Sequence, residues 1–462
     1  MEETMNGFEN LFANAWNRLV ASKPHDNGTG LSLGTLIHDG ELTSDRYLIS
    51  DIKRCEHIAI LGKTGTGKSS LLRNMAAQDV RRDHGFIYFD HHGDTVPYLL
   101  QLIAEEEQRR REDLSAKVIL IEPADPQYSV GINVLEQRAS QQQTFVQIAE
   151  FAQILKQRWH LEGLGPRTEE LLRNSLCILA DNQLTLLELG PLLTNAAFRS
   201  ACLNRAKNGE VKAYFATRYD AASESMQAVL RDAILNKVSA FTADPHFRHI
   251  LGQRHSTFSL TTAIDEGYWI LVNLDKGRLG EQASTLGSLL LARLRGALFA
   301  RRYRELRVLY CDEVQNLILF DSGLDTLLSE ARKYGASVVT ANQFLDQYPQ
   351  VMRSAILAVG THAFFQLSSS DAEKIAAALG GGRTLSEILK NLPQRQMIVK
   401  SGHHIWRRVA VPTVHQPSID SSDLYERCRE RWARRREDVE AEISTRQAAA
   451  SRSSNQLLDD WE

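Results

Sequence analysis

An eight-residue run, GKTGTGKS at positions 62–69, constrains the fold of this chain more than any other feature of its sequence. The run matches G-x-x-x-x-G-K-[ST] at every position. It follows the apolar segment Ile58–Leu61 and precedes a segment with helical periodicity that begins at Leu71. A strand, a glycine-rich loop and a helix in this order predict a phosphate-binding loop. We therefore expect an α/β domain in which the loop joins a buried strand to the next helix.

The residues of this loop are predicted to bind ATP, or GTP, together with Mg²⁺. Glycine lets the backbone wrap closely around an anion, so that successive N–H groups point at the phosphates. Lys68 is expected to contact the β- and γ-phosphates and to act in catalysis, and the Ser69 hydroxyl is expected to ligate Mg²⁺. The helix that follows presents the positive end of its dipole to the same anion. The predicted nucleotide-binding residues are Gly62, Lys63, Thr64, Gly65, Thr66, Gly67, Lys68, Ser69 and Ser70.

Hydrolysis also needs an acidic residue at the end of a neighbouring strand, and two strand ends qualify. The apolar run Ile87–Phe89 ends at Asp90, whereas the run Val308–Cys311 ends at two successive acids, Asp312 and Glu313. One carboxylate of such a pair can hold the metal while the other activates the attacking water. We therefore predict that Asp312 is a metal ligand and that Glu313 is the general base; acids that merely cap a strand end are the alternative.

A further strand is predicted to end in an amide side chain. The apolar run Val338–Ala341 leads into Asn342 and Gln343. Gln343 at that position could sense the γ-phosphate and is predicted to act in catalysis. The alternative is an ordinary turn, because many buried strands end in Asn or Gln.

Periodicity along the chain predicts five regions. Short apolar runs alternate with helical patterns before about residue 140 and again after about residue 255, whereas nearly everything between them has helical periodicity. Alternation of this kind predicts a mainly parallel sheet with helices on its faces, interrupted by an inserted all-α domain. The predicted regions are an N-terminal segment (1–50), the first part of the core (51–140), the all-α insertion (141–255), the second part of the core (256–415), and a charged C-terminal helix and tail (416–462).

Composition limits the classes of protein that are possible. The 462 residues are 43% hydrophobic and 24% charged, which suits a globular protein of more than one domain. Five scattered cysteines without a C-x-x-C pair argue against disulfides and zinc. The net charge of −3 does not favour DNA binding over the whole surface. The C-terminal arginines alternate with acids and are interpreted as a solvated helix face. No apolar run is long enough to span a membrane, which predicts a cytoplasmic protein.

Four elements together resemble the HerA–FtsK group of ring ATPases, and most closely the TraG/TraD-type coupling ATPases of conjugation and type IV secretion. They are the P-loop, the segment Asp90–Asp94, the Asp312–Glu313 pair, and the segment Glu330–Gly335 leading to Gln343. The resemblance covers about residues 34–412 and implies a RecA-like P-loop core. Unlike membrane-bound coupling proteins, this chain shows no N-terminal transmembrane helices. The sequence also has His91 where the group often has proline, and His91 and His92 are expected to face phosphate or an interface.

The resemblance implies a homo-hexameric ring that binds ATP between subunits and moves DNA through a central pore. Arg332 is then the candidate arginine finger for a neighbouring subunit; an ordinary surface ion pair with Asp325 or Glu330 is the alternative. The leading hypothesis is a DNA translocase of conjugative transfer, with a relaxase or a membrane secretion component as partner. The alternatives are a HerA-like helicase or translocase acting with a nuclease in repair or phage defence, and a nucleotide-dependent scaffold that does not move DNA.

Overall fold

The computed structural model describes residues 30–136, 148–149, 151–153, 155–156, 165–318 and 323–451. The N-terminal residues, part of the predicted insertion and the end of the C-terminal tail lie outside these described residues. The strands are β1 (Leu31–His38), β2 (Glu41–Ile49), β3 (Ile58–Leu61), β4 (Phe86–Asp90), β5 (Val118–Ile121), β6 (Tyr128–Ser129), β7 (Trp269–Asn273), β8 (Arg307–Cys311), β9 (Ala336–Asn342), β10 (Thr361–Phe364), β11 (Gln396–Ser401), β12 (Arg407–Ala410) and β13 (Arg434–Arg435).

One eleven-stranded sheet runs through the protein in the order β2-β1-β12-β11-β10-β3-β9-β8-β4-β7-β5. From β10 to β5 all neighbours are parallel. The remaining strands, β11, β12, β1 and β2, extend the sheet in antiparallel fashion. The strand before the P-loop, β3, lies two places from β8, the strand that Asp312 follows. Because parallel strands end at the same edge of a sheet, this order brings the two predicted halves of the site together.

The parallel strands form because their residues can be buried on both faces. Every residue of β3, β4, β5, β7 and β8 is buried. Within β3, Ala59 and Leu61 belong to one apolar cluster while Ile58 and Ile60 belong to the other. The sheet therefore separates two apolar layers, as expected when helices cover both faces. The predicted α/β fold with a mainly parallel sheet is confirmed.

Helices cover both faces, and the described residues between β6 and β7 are mostly helical. The α-helices are Asp51–Arg54, Lys68–Arg82 (the P-loop helix), Thr95–Arg110, Pro166–Asp181, Leu189–Thr194, Ala196–Arg205, Gly209–Tyr214, Glu224–Thr242, Pro245–Leu251, Leu260–Asp265, Lys276–Leu279, Gln282–Phe299, Leu324–Glu330, Gln350–Leu357, Ser369–Ala378, Gly382–Lys390, Ser422–Trp432 and Arg436–Ala450.

The part of residues 141–255 that the structure describes is helical. Its longest helices, Pro166–Asp181 and Glu224–Thr242, pack against each other through buried apolar residues such as Leu172 and Ile234. These residues join the same apolar cluster as one face of the central sheet. The helical region is thus packed directly on the nucleotide-binding core.

Two features at the chain ends differ from the sequence-based prediction. The region 1–50 was not predicted to contain strands, yet β1 and β2 form a hairpin that pairs with β12. At the other end, the charged region forms two helices rather than one, and its arginines are not simply solvated. Arg429 has only 10% of its side chain exposed and forms an ion pair with Asp125 at 3.0 Å. Alternating charges in these helices reflect contacts with the core, which periodicity within one helix cannot reveal.

Candidate nucleotide-binding and hydrolytic site

The P-loop crosses the carboxyl ends of the central strands. Gly65 and Gly67 have φ angles of 76° and 121°, which a side chain would disfavour. The loop is anchored by two backbone hydrogen bonds, from the Gly62 N–H to the carbonyl of Asn342 (3.1 Å) and from the Lys63 N–H to the carbonyl of Gln366 (2.8 Å). The helix begins at Lys68, so the N–H groups of its first turn face the loop. This is a concave set of backbone donors suited to an anion.

Lys68 lies inside this loop. Its Nζ donates to the carbonyl of Gly62 at 2.7 Å and to that of Lys63 at 3.1 Å. Burial lowers the pKa of Lys68, while the nearby Glu313 and Asp312 oppose that shift. The ammonium group is therefore held over the loop, within the negative field of the acids at the end of β8.

Asp312 and Ser69 meet at the metal position that the sequence predicts. The Ser69 hydroxyl lies 3.4 Å from Oδ2 of Asp312 and donates to it. Burial, followed by the charge of Glu313, raises the pKa of Asp312 to about 6. Two adjacent carboxylates with little solvent repel each other, and a divalent cation ligated by oxygen would offset this repulsion.

Asp90, the other strand-end acid, has a structural role. Its Oδ1 accepts from the N–H groups of His92 and Gly93, and its Oδ2 accepts from those of Thr95 and Val96 at 2.8 Å. Four hydrogen bonds occupy its acceptor positions and fix the loop between β4 and the next helix. This geometry favours Asp312 over Asp90 as the metal ligand.

Glu313 is held from both sides by amides. Gln343 donates from Nε2 to Oε1 of Glu313 at 3.0 Å. Gln315 donates to Oε2 of the same carboxylate. His92 lies on the same side, with its Nε2 4.0 Å from Oε1. The structure thus brings Gln343 to Glu313, at the same strand ends as the P-loop.

The structure places the two histidines in different surroundings. His92 is exposed and approaches Glu313. His91, by contrast, is 2% exposed and packs behind the loop, with its ring near Gly287. Burial lowers the pKa of His91 to about 4, so its ring is neutral. The prediction that His91 faces phosphate or an interface is therefore wrong.

Sequence reasoning missed three residues at the site. Gln315 lies two positions beyond Glu313, but no pattern marks an isolated glutamine as a partner of a carboxylate. Gln394 donates to the carbonyl of Gly65 at 2.9 Å, and the Arg395 N–H donates to that of Thr66 at 2.8 Å. The loop before β11 thus contacts the middle of the P-loop, although it lies more than 300 residues away in sequence. Only a Pro-Gln-Arg turn before a strand could have drawn attention to it.

Arg332 lies at the amino ends of the parallel strands, opposite the edge that carries the P-loop. It precedes β9, whereas Asp312 follows the parallel strand β8. A seven-residue strand is roughly 23 Å long, so Arg332 cannot reach the P-loop of its own chain. Its guanidinium forms an ion pair with Glu56 at 3.3 Å and is 59% exposed. The expected partners Asp325 and Glu330 are replaced by Glu56, beside a cavity of 370 Å³ that Arg332, His57 and Gly360 help to line.

These elements define a P-loop ATPase of the RecA-like, HerA–FtsK type. A family model described as "Helicase HerA, central domain" matches residues 32–293. That range is more than half of the chain, and the chain belongs to this family. A search of curated proteins finds no match.

Solved structures of TrwB and VirB4 share the fold. The bacterial conjugative coupling protein TrwB (TrwBdeltaN70) is 17% identical with a TM-score of 0.59, over 88% of this chain and 94% of that one. TrwB in complex with ADP and Mg²⁺ is also 17% identical, with a TM-score of 0.58 over 84% and 96% of the two chains. VirB4 of Thermoanaerobacter pseudethanolicus is 16% identical, with a TM-score of 0.55 over 84% and 97%.

Among the helices of the described residues, none combines the length and the apolar character that crossing a bilayer needs.

Proposed function

We propose that this chain is an ATP-hydrolysing DNA translocase that works as a homo-hexameric ring, of the kind that couples DNA to conjugative transfer or type IV secretion. The observation that carries the proposal is the division of the site between two edges of one sheet. The P-loop, Asp312 and Glu313 lie at one edge, and Arg332 lies exposed at the other. A site divided in this way is completed when one subunit's Arg332 edge meets its neighbour's P-loop edge.

ATP and Mg²⁺ fit the first of these edges. The loop offers backbone donors and Lys68 to the phosphates, and Ser69 and Asp312 offer the oxygen ligands that Mg²⁺ prefers. Mg²⁺ commonly takes only one or two protein ligands and completes its shell with phosphate oxygens and water. TrwB, which shares the fold, has been solved with ADP and Mg²⁺ and with a non-hydrolysable ATP analogue.

In the proposed reaction Glu313 takes a proton from water while the water oxygen bonds to the γ-phosphorus. The bond from that phosphorus to the β–γ bridging oxygen breaks, which leaves ADP and phosphate. Mg²⁺ would neutralise charge on the β- and γ-phosphate oxygens. Lys68 would stay close to the same oxygens, and Gln343, which donates to Glu313, would exchange that bond for one to the γ-phosphate.

Arg332 would act on the nucleotide of the neighbouring subunit. A guanidinium that stabilises charge on a transferring phosphoryl group contributes roughly 10³–10⁵ in rate. Its exposure and single ion pair leave it available to a second chain. Head-to-tail contacts of this kind form a ring when the rotation between neighbours closes, and such a ring has a central passage for a DNA strand.

The family match favours a second function. Because the matched family is described by the helicase HerA, the chain could instead move DNA for a separate nuclease in repair or phage defence. The two functions share the motor and differ in the partner, which would be a relaxase or membrane secretion component in the first and a nuclease in the second.

The test is steady-state ATP hydrolysis with and without single- and double-stranded DNA. We expect DNA to stimulate the wild type. Glu313→Gln should lower kcat by roughly 10²–10⁴ while ATP still binds, since only the proton acceptor is lost. The matched control is Glu373→Gln, which removes the charge of an exposed glutamate and should leave the rate unchanged.

Two outcomes would contradict the proposal. A wild-type enzyme that hydrolyses ATP but ignores both forms of DNA would favour a scaffold over a translocase. A Glu313→Gln variant with the wild-type rate would show that Glu313 is not the general base.

A further inference from the structure

Behind Glu313, on the side away from Gln343, three side chains form a continuous hydrogen-bonded chain. The Tyr348 hydroxyl donates to Oδ1 of Asn342. Nδ2 of Asn342 donates to Oε1 of Gln315 at 2.7 Å. Gln315 then donates from Nε2 to Oε2 of Glu313. The residues come from the loop after β8, the last position of β9 and the turn that follows, and the chain that they form ends at one carboxylate.

The direction of this chain is fixed by its two ends. A carboxylate can only accept, so the Gln315 NH₂ must face Glu313 and the Gln315 oxygen must face Asn342. The Asn342 NH₂ then has to donate, which turns its oxygen to Tyr348. Burial raises the pKa of Tyr348, so that its hydroxyl stays protonated and remains a donor. Each amide thus has one orientation.

The chain is also rigid. Asn342 and Tyr348 are fully or almost fully buried, at 0% and 1% exposure. Asn342 belongs to β9 and its carbonyl accepts the Gly62 N–H, so it is fixed to the P-loop as well. Glu313 has a φ of 51°, a left-handed conformation that surrounding contacts must hold for a residue other than glycine. Gln315 supplies such a contact from only two positions away.

We propose that Gln315, oriented by Asn342 and Tyr348, is a positioning residue that holds the Glu313 carboxylate for proton transfer. This inference rests on the proposed function, in which Glu313 is the general base of ATP hydrolysis. Gln343 and Gln315 bind different oxygens of Glu313. Gln343 can therefore exchange Glu313 for a γ-phosphate while Gln315 keeps the carboxylate in place.

The test measures kcat and the affinity for a fluorescent ATP analogue in Gln315→Ala, in Tyr348→Phe and in the double variant. Gln315→Ala should lower kcat about 10–100-fold, because a base displaced by about an ångström loses that much. Tyr348→Phe keeps the ring and loses only the donor, and it should lower kcat about 3–10-fold. Affinity should change less than about twofold, since neither residue contacts the phosphate loop through its side chain.

The double variant distinguishes a relay, in which Tyr348 acts on Glu313 through Asn342 and Gln315, from two unrelated packing effects. If Tyr348 acts only through Gln315, adding Tyr348→Phe to Gln315→Ala should change kcat by less than about twofold. The matched control is Tyr219→Phe, which removes another buried hydroxyl, bonded to the carbonyl of Leu193 in the helical region. It should leave kcat unchanged.

Three outcomes would overturn the inference. Effects of the two substitutions that multiply would show that they act independently. A Gln315→Ala variant with the wild-type kcat, alongside an inactive Glu313→Gln, would remove the positioning role and leave the proposed function intact. A fully active Glu313→Gln variant would instead remove the general base itself, and the relay with it.

Discussion

His57 is a buried histidine whose surroundings exclude its charged form. It directly precedes β3 with a φ of 69° and is 3% exposed. Its Nδ1 accepts the Val338 N–H at 3.1 Å, so the neutral ring is an acceptor within the sheet. Burial lowers the pKa of His57 to about 4. Protonation would both place a charge in the interior and remove this hydrogen bond.

We therefore expect His57 to make the free energy of unfolding depend on pH. Between pH values of about 6.5 and 4, the unfolded chain binds a proton at this position and the folded chain does not. Above that window His57 does not reduce the free energy of unfolding. As pH falls through the window the free energy of unfolding decreases, by about 2 kcal/mol near pH 5. Urea unfolding from about pH 7 to about pH 5 measures the slope, and His57→Asn should reduce it by about one proton.

Asparagine suits this test because it tolerates a left-handed backbone. His38→Asn, which changes an exposed histidine, is the control and should leave the slope as in the wild type. An unchanged slope in His57→Asn would mean that the pH dependence arises from other groups, such as His91.

The site residues differ in how far sequence could predict them. Lys68, Ser69, Asp312 and Glu313 were found because chain-local motifs place them after apolar strands. Gln315 and its partners were not, because the bond between Gln315 and Asn342 joins residues 27 positions apart. Its existence depends on β8 and β9 being neighbours in the sheet. Sequence alone does not state strand order, so such contacts become visible only in three dimensions.

At the level of elements, apolar runs predicted the parallel strands but gave no signal for the hairpin of β1 and β2 at one side of the sheet. The strands β3, β4, β7 and β8 are buried throughout and need uninterrupted apolar residues. In β2 most residues are exposed, and its sequence ELTSDRYLI alternates weakly. An edge strand is stabilised by pairing on one side only and can be polar, so it gives little signal.

The C-terminal helices fasten the helical region to the core. The helix Arg436–Ala450 packs Val439 and Ile443 against Leu187, and its Glu440 binds Arg248 at 2.8 Å. The preceding helix packs beside β5. These helices thus connect two parts of the chain that are far apart in sequence.

Among the residues of the C-terminal helices, we expect Arg429 to contribute most to stability. Its guanidinium lies 4.7 Å from the ring centres of both Tyr128 and Tyr425 and pairs with the buried Asp125. Arg429→Ala leaves that carboxylate without its cation and should cost about 2–4 kcal/mol of unfolding free energy. Arg429→Lys keeps the charge but loses planar stacking. Its unfolding free energy should lie between those of the wild type and Arg429→Ala.

Chemical denaturation monitored by tryptophan fluorescence provides the measurement. Arg435→Ala, at an exposed neighbouring position, is the control and should change stability by less than about 0.5 kcal/mol. If Arg429→Ala behaves like this control, the helix face is solvated in solution, as charge patterning alone indicates.

Across the whole molecule, the two ends of the parallel strands carry different sets of functional residues. The carboxyl ends of the strands carry the P-loop and the acids, where parallel sheets commonly bind ligands. The amino ends carry Arg332, Glu56 and the 370 Å³ cavity, with Ile52 (78% exposed) and Leu357 (41% exposed) close by in sequence to the cavity's lining residues. Exposed apolar side chains on the segments that lead into β3 and β10 are suited to contact with another protein surface. The separation means that the proposed arginine can serve only a second chain.

This arrangement predicts that two inactive variants restore activity when mixed. Lys68→Ala removes the P-loop ammonium but keeps Arg332, whereas Arg332→Ala keeps the P-loop and removes the guanidinium. In a randomly mixed ring, one interface in four joins an intact P-loop to an intact Arg332. Mixing equal amounts should therefore give roughly a quarter of the wild-type ATPase activity if interfaces act independently.

Arg383→Ala, at an exposed position, is the control and should be active alone. Mixtures as inactive as their components would place both groups in one chain's site, which the roughly 23 Å strand forbids, or would show that no ring forms. An Arg332→Ala variant with full activity alone would instead return this side chain to the role of a surface partner of Glu56.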